Sequence, residues 1–282
     1  MAIEELTRLV PTPARPVEAG GDWARVEAEL GLTLPGDFKE LLRTYGNGQF
    51  VDHVSLLPAV GPDPRLLVRA RSFGERERTT VERYPDLVPE GFHPAPGGLL
   101  GWAADDDGVS YCWSTGAWRV VIWDNRNRRV ERFDTDATGF LARWLSGALR
   151  PRSITTPPAV APWFQPFRDR RHAYVVLSDS DLPYEERLRV LKDALAPVQE
   201  RGSTLEDDEA EDEDPDEDRQ DFFAAVERDW IITYETSYNH QIRFAYPPED
   251  DDGVRALATA VAPAMGSRIV RTTDQRGAPI WS

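Results

Sequence analysis

One cysteine in 282 residues leaves no partner for a disulfide within the chain. Cys112 thereby excludes the stapled folds of small secreted domains, and the chain reads as cytoplasmic. Lysine is nearly missing as well. Lys39 and Lys192 are the two present, and Arg supplies the rest of the 33 basic residues. No run approaches the roughly 18 apolar residues of a membrane span. The opening MAIEELTRLV carries Glu4 and Glu5 in place of the apolar stretch of a secretory leader. Basic excess is the last absence, since the formal net charge is −16. Residues 206–221 alone hold twelve acids and one Arg, whereas residues 1–150 hold 22 acids and 18 bases. The remainder is close to neutral, so nothing supports a basic nucleic-acid face. The length suits two ordinary domains, each able to bury its own core.

The most informative stretch runs from Asp22 to Gly48. Trp23, Val26 and Leu30 recur at helical spacing and form an apolar stripe, with Asp22 at an N-cap position and Gly31 at a C-terminal glycine position. Pro35 suits the first turn of a second helix, where its missing N–H costs nothing. Phe38, Leu41, Leu42 and Tyr45 continue that helix until Gly46 ends it. Val51–Val60 then reads as extended chain. Leu66–Ser72 and Thr80–Val88 read as helical or irregular, and Pro89–Gly98 as loop. From Leu99 the period changes to two. Leu99–Ala104, Val109–Ser114, Trp118–Trp123 and Arg129–Phe133 predict an antiparallel meander, with turns at Asp105–Gly108, Thr115-Gly116 and Asp124–Asn127. A helix follows over Thr138–Leu149.

Arg150–Phe167 contains five prolines and no period, which predicts a linker or strap at residues 150–168. A second domain is expected over 169–282. Its strands are His172–Leu177, Trp230–Thr236, Gln241–Tyr246 and Arg268–Thr273, and its helices Tyr184–Val198 and Gly253–Met265. This β-α-β-β-α-β order is that of a ferredoxin-like unit, although other α+β folds share it. Residues 203–221 interrupt it as an acidic, disordered insertion.

The Trp-bearing helix, the Gly-x-x-Leu-Pro corner and the helix ending in Tyr-Gly-x-Gly together resemble the signature of the SUKH superfamily. Residues 1–149 are thus identified as a SUKH-like domain, with the likeness running over about residues 20–147. Leu56-Leu57-Pro58, Leu99–Trp102, Val120–Trp123 and Asp136–Leu145 extend it. The resemblance implies an α+β fold, a mixed sheet flanked by helices. It implies a role as an immunity protein that neutralises a bacterial toxin by binding it, without chemistry of its own. The signature residues Trp23, Gly31, Leu34, Pro35, Tyr45, Gly46 and Gly48 are structural in this reading: stripe, caps and corner.

Catalytic patterns are missing. There is no phosphate-binding loop, no nucleophile elbow, and no metal-ligand spacing among His53, His93, His172 and His240. Asp105-Asp106-Asp107-Gly108 fails as a calcium loop, because aligning Gly108 at position six puts Ala103 at one and Ser114 at twelve. Neither a cofactor nor a metal is expected, and the chain is expected not to be an enzyme. A rival reading gathers Tyr234, Glu235, Tyr238, His240 and Arg243 around one hairpin of the second domain as a catalytic cleft. The favoured partner is a protein, a toxin domain, and a basic one that targets nucleic acid fits the charge. The contact candidates are Trp102, Asp105, Asp106, Asp107 and Trp118, with Glu206, Asp207, Asp208, Glu211 and Asp212 in the acidic run. The alternative is a regulatory or scaffolding protein that recruits a cellular partner.

Overall fold

A computed structural model describes residues 2–204, 219–237 and 239–281. The chain divides into two units, Met1–Pro157 with Pro162–Phe167, and Pro158–Ala161 with Arg168–Ser282.

The first unit is a seven-stranded antiparallel sheet with helices on both faces. It opens with α1 (Ala2–Leu9), α2 (Trp23–Leu30) and α3 (Gly36–Tyr45). The sheet is built from β1 (Gly48–Phe50), β2 (Val54–Leu56), β3 (Leu99–Ala104), β4 (Ser110–Ser114), β5 (Arg119–Asp124), β6 (Arg129–Phe133) and β7 (Phe164–Pro166), in the order β6-β5-β4-β3-β2-β1-β7. The meander read from the sequence is β3 to β6. Two helices complete the unit, α4 (Arg65–Arg83) and α5 (Ala137–Leu145). On one face Trp102, Tyr111 and Trp113 pack against Phe38 of α3 and Phe140 of α5. On the other, Leu99, Cys112, Val121 and Trp123 pack against Phe73 of α4, Val88 and Phe92.

Local chemistry sets the helix ends. The Asp22 side chain accepts from the Arg25 N–H at 3.0 Å, and Gly31 takes the left-handed φ of 67° that ends α2. Glu27 staples the corner, accepting from Leu34 N–H at 2.7 Å and pairing with Lys39. Pro35 stands at the cap of α3, one residue before the first turn that the spacing suggests. Trp23 departs from the expected core stripe. It stays half-buried with the Lys39 ammonium 5.9 Å from its ring, while Val26 and Leu30 are buried.

The Tyr-Gly-x-Gly phrase works by close approach. Tyr45 Oη donates to the Val10 carbonyl at 2.8 Å and so fastens the segment after α1. At Gly46, with φ of 76°, a Cβ would overlap the Val17 backbone, whose carbonyl accepts from Asn47 N–H at 2.6 Å. At Gly48 a Cβ would meet the β7 backbone and the Phe164 ring.

Three expectations are corrected here. Val51–Val60 is not one extended segment, because a turn at Val51–His53 folds it into the β1–β2 hairpin. Leu66–Ser72 and Thr80–Arg83 join in the single helix α4, where Leu66, Leu67, Ala70 and Phe73 are on the buried face, and Pro85–Leu87 forms a separate 3-10 turn beyond its end. The strap is not wholly linker. Its end supplies β7, which pairs antiparallel with β1 and buries Phe164 against Tyr45 and Phe50.

The second unit is a six-stranded antiparallel sheet with α6 (Tyr184–Leu195) and α7 (Asp251–Ala264) packed on one face. The strands β8 (Arg171–Leu177), β11 (Trp230–Glu235), β12 (Gln241–Tyr246) and β13 (Ile269–Thr273) are those read from the sequence. They lie in the order β13-β8-β12-β11, which is how a split βαβ unit interleaves them. Two further strands, β9 (Val198–Ser203) and β10 (Gln220–Ala225), extend the sheet beyond β11. The acidic insertion read as 203–221 therefore has its ends inside strands, with Ser203 opposite Asp221. Its central residues 205–218 lie outside the described residues.

Candidate protein-binding surface

The turns β1–β2, β3–β4 and β5–β6 share one end of the first sheet, as the registers Ser55↔Ala104 and Asp124↔Arg129 require. At that end Asp105 turns inward and its two neighbours turn outward. The Asp105 carboxylate accepts from Val109 N–H at 2.9 Å and Tyr111 O–H at 3.3 Å, and lies 3.4 Å from His53 Nε2. Burial pushes its pKa above the ordinary carboxylate range, with the Val109 N–H, His53 and Tyr111 pulling the other way. Asp105 is therefore a turn-holding group and is corrected as a contact residue. Gly108, with φ of 87°, closes this turn, and Asp106 and Asp107 are exposed beyond it.

Trp102 is corrected too. It is 0 % exposed, stacked 6.0 Å from Trp113 and set edge-on to Tyr111, so no partner reaches it. Trp118 occupies the opposite end of β4, in the turn before β5, with φ of 53° and its ring half-buried edge-on against Trp113. One strand length of roughly 17 Å separates it from Asp106 and Asp107. These candidates do not converge on one patch. Glu206, Asp207, Asp208, Glu211 and Asp212 lie outside the described residues.

Sequence reasoning missed the turn at Val51 and Asp52. Both residues have positive φ, 47° and 52°, in the three-residue loop Val51–His53 that the His53 N–H closes on the Phe50 carbonyl at 2.9 Å. Gln49 Nε2 donates to Asp52 Oδ1 at 2.9 Å and props this turn. Val51 is buried in this turn and Asp52 is exposed at the acidic end of the sheet. The turn adds Asp52 to Asp106 and Asp107, beside Arg126 and Arg128 from the β5–β6 turn.

In the second unit, the hairpin weighed as a catalytic cleft splits between two faces. Tyr234 packs 4.9 Å from Tyr184 on the helix-covered side, and its O–H lies 3.0 Å from His240 Nε2. His240 Nδ1 lies 2.8 Å from the Ser178 carbonyl, which fixes Nδ1 as donor and Nε2 as acceptor. Burial lowers the His240 pKa, so the neutral ring is favoured. Tyr184 donates to Asp221 at 2.8 Å, and burial raises its pKa. Glu235, the acid that a His-based catalyst at this hairpin would call on, lies in the opposite alternation and bonds to Gln241 and Arg243. Tyr238 lies outside the described residues. Cys112 is buried, and burial raises its thiol pKa. Among the described residues, no group of three or more His, Cys, Asp or Glu is arranged to hold a metal ion, and no helix is long and apolar enough to cross a membrane.

No curated protein and no solved structure matches the chain. The family described as SUKH_6, SMI1-KNR4 cell-wall, matches over residues 21–141, the stretch that carries α2 to the middle of α5, and this match supports SUKH superfamily membership for the first unit.

Proposed function

We propose that this protein is a non-catalytic, cytoplasmic binding module, the immunity partner of a bacterial toxin, acting by steric and electrostatic occlusion. The match over residues 21–141 carries the reading, because the family is associated with immunity proteins and with SMI1/KNR4-like regulators, both of which act through protein contacts. The acidic balance of −16 supports a basic target, whose encounter rate such a field raises more than its final affinity. A stable complex has to bury about 1,200–2,000 Å². Co-expression with the product of the neighbouring gene is the test. Rescue from toxicity is expected, together with an association rate that falls as salt screens the acidic groups in a binding assay. A harmless neighbour, or toxicity that persists, refutes the immunity role.

The second unit favours a second reading, a regulator or scaffold that recruits a cellular protein, because it adds a complete core outside the family match. Affinity capture that returns the same housekeeping complex from cells lacking any toxin gene selects this reading over the first.

A further inference from the structure

Beneath α4, on the face of the first sheet opposite α3 and α5, a cavity of about 320 Å³ is lined by Arg69, Arg76, Glu77, Ala104, Asp105 and Gly108. That places it at the lower end of the roughly 300–1,000 Å³ range of small-molecule sites. Its chemistry is unusual for a helix–sheet seam. Glu77 is 8 % exposed, and its Oε2 has no hydrogen-bond partner. Arg69 lies over the bare Cα of Gly101, where an added Cβ would sit 3.6 Å from its stem, and donates to Ser110 Oγ at 2.5 Å. The Arg69 Nε–H is buried and has no acceptor. Arg69 and Arg76 flank the Phe73 ring, their guanidinium carbons 4.7 and 5.9 Å from its centroid. Burial, and then the charge of the exposed Arg76, lower the Arg69 pKa, while Cys112 and Glu77 pull it the other way.

Asp105 contributes little to a ligand, because Val109, Tyr111 and His53 already engage its carboxylate. Two ionic groups of opposite sign, near enough to feel each other's charge, each keep one atom without a hydrogen bond: a carboxylate oxygen on Glu77 and a guanidinium N–H on Arg69. No ion pair joins them among the described residues. Buried charges persist when paired and hydrogen-bonded. A simple anion would meet Glu77 and a simple cation would meet the two arginines. An apolar guest would leave both charged atoms dry. A molecule carrying both charges a few bonds apart satisfies the pair.

We infer that this cavity binds a free α-amino acid as its zwitterion, with the ammonium on Glu77 Oε2 and the carboxylate on Arg69 and Arg76. The site is independent of the toxin-binding reading and stands or falls without it.

Calorimetric titration of the full-length chain with each free L-amino acid, at up to about 10 mM, tests the inference. At least one is expected to bind with a Kd of about 0.01–1 mM. Its N-acetyl and its α-amide derivatives, each lacking one charge, are expected to bind at least about tenfold more weakly, because each loses a charge-assisted bond. Glu77→Gln and Arg69→Met are expected to weaken it by at least about tenfold too, with an unchanged circular dichroism spectrum, while Glu75→Gln, exposed on the same helix, leaves binding unaltered. If either cavity variant fails to fold, the derivative series on the unmodified protein decides the matter. Heat from no amino acid, equal binding of the N-acetyl form (a plain anion site), or binding that survives Glu77→Gln overturns the inference.

Discussion

Gly48→Ala is the sharpest probe of how the family signature is wired to the rest of the chain. The new Cβ would sit 2.5 Å from the Phe164 ring and closer still to the Gln165 carbonyl oxygen, both on β7. Two responses are open. The β1–β7 seam can widen while the strap stays docked, and overpacking of this kind costs about 1–3 kcal/mol. Alternatively the strap can lift away, exposing Trp163 and Phe164, which are 3 % and 7 % exposed in place. At about 1.5–3 kcal/mol for each side chain, lifting costs roughly 3–6 kcal/mol, so widening wins. The expected result is a loss of about 1–3 kcal/mol in urea unfolding, with the strap still protected from trypsin at Arg152, whose backbone N–H donates to Glu131. Tryptophan fluorescence isolates the right transition, because seven of the nine tryptophans lie in the first unit. Gly31→Ala is the control. Gly31 has φ of 67° with nothing within 4 Å of a built Cβ, so backbone strain alone should cost about 1 kcal/mol. A Gly48→Ala protein within about 0.5 kcal/mol of the parent would refute the close-approach argument.

Other substitutions test separate parts of the structure. Trp102→Ala should cost about 3–5 kcal/mol in the same unfolding assay, because the side chain is fully buried among Trp113, Tyr111 and Phe140. A smaller loss than about 1 kcal/mol would place the indole at the surface after all. Asp52→Gly should raise the melting temperature of the first unit by about 2–4 °C, relief of positive-φ strain outweighing the lost Gln49 contact; a lower value sinks the strain argument. For His240, burial lowers the folded pKa, so the unfolded chain takes up the proton first as pH falls through about 6.5. Stability present above that pH is then lost on acidification, and the second unit should melt progressively earlier from pH 7 to 5. Because His172 in the same unit is shifted downward too, His240→Gln should flatten the slope only in part; an unchanged slope refutes the contribution.

Elements with a long period or chemical punctuation were legible in the sequence. Asp22 and Gly31 bracket α2, and the two-residue alternation from Leu99 to Phe133 becomes β3 to β6, while the helix expected over Thr138–Leu149 is α5, capped by Asp136 through Gly139 N–H at 2.7 Å and ending at Leu145. Three-residue strands carry no period, which hid β1, β2 and β7 as separate elements. The C-terminal half of α4 is mainly polar, with Glu77 buried where an apolar residue would announce a helix. β9 reads VQERGS with one large apolar residue, as an edge strand can, and it borders the acidic run. Composition could not tell Trp102 from Trp118, since both fall near turns. Burial separates them, because Trp102 continues the inward row of Leu100 and faces Phe140, whereas Trp118 sits in a turn with positive φ. The Glu77–Arg69 cavity was invisible for a related reason. Residues eight apart on an apparently solvated helix give no hint that the sheet bears a glycine beneath them.

The family match spans residues 21–141, but the physical folding unit is larger. Tyr45 is tied to Val10, Gly46 to Val17 and Gly48 to β7, so three signature residues find their partners outside the matched stretch. A fragment limited to 21–141 would lose Leu6, Val10, Trp163 and Phe164, each at most 7 % exposed in the whole chain. At about 1.5–3 kcal/mol for each, the loss is roughly 6–12 kcal/mol. That is comparable with the whole stability of about 5–15 kcal/mol that a domain possesses. The fragment should therefore show no cooperative unfolding transition, whereas residues 1–167 should show one with the fluorescence change of the first unit. A cooperative transition from 21–141 would mean that the N-terminal helix and the strap are accessories, and that the signature glycines are kept open for something other than this chain.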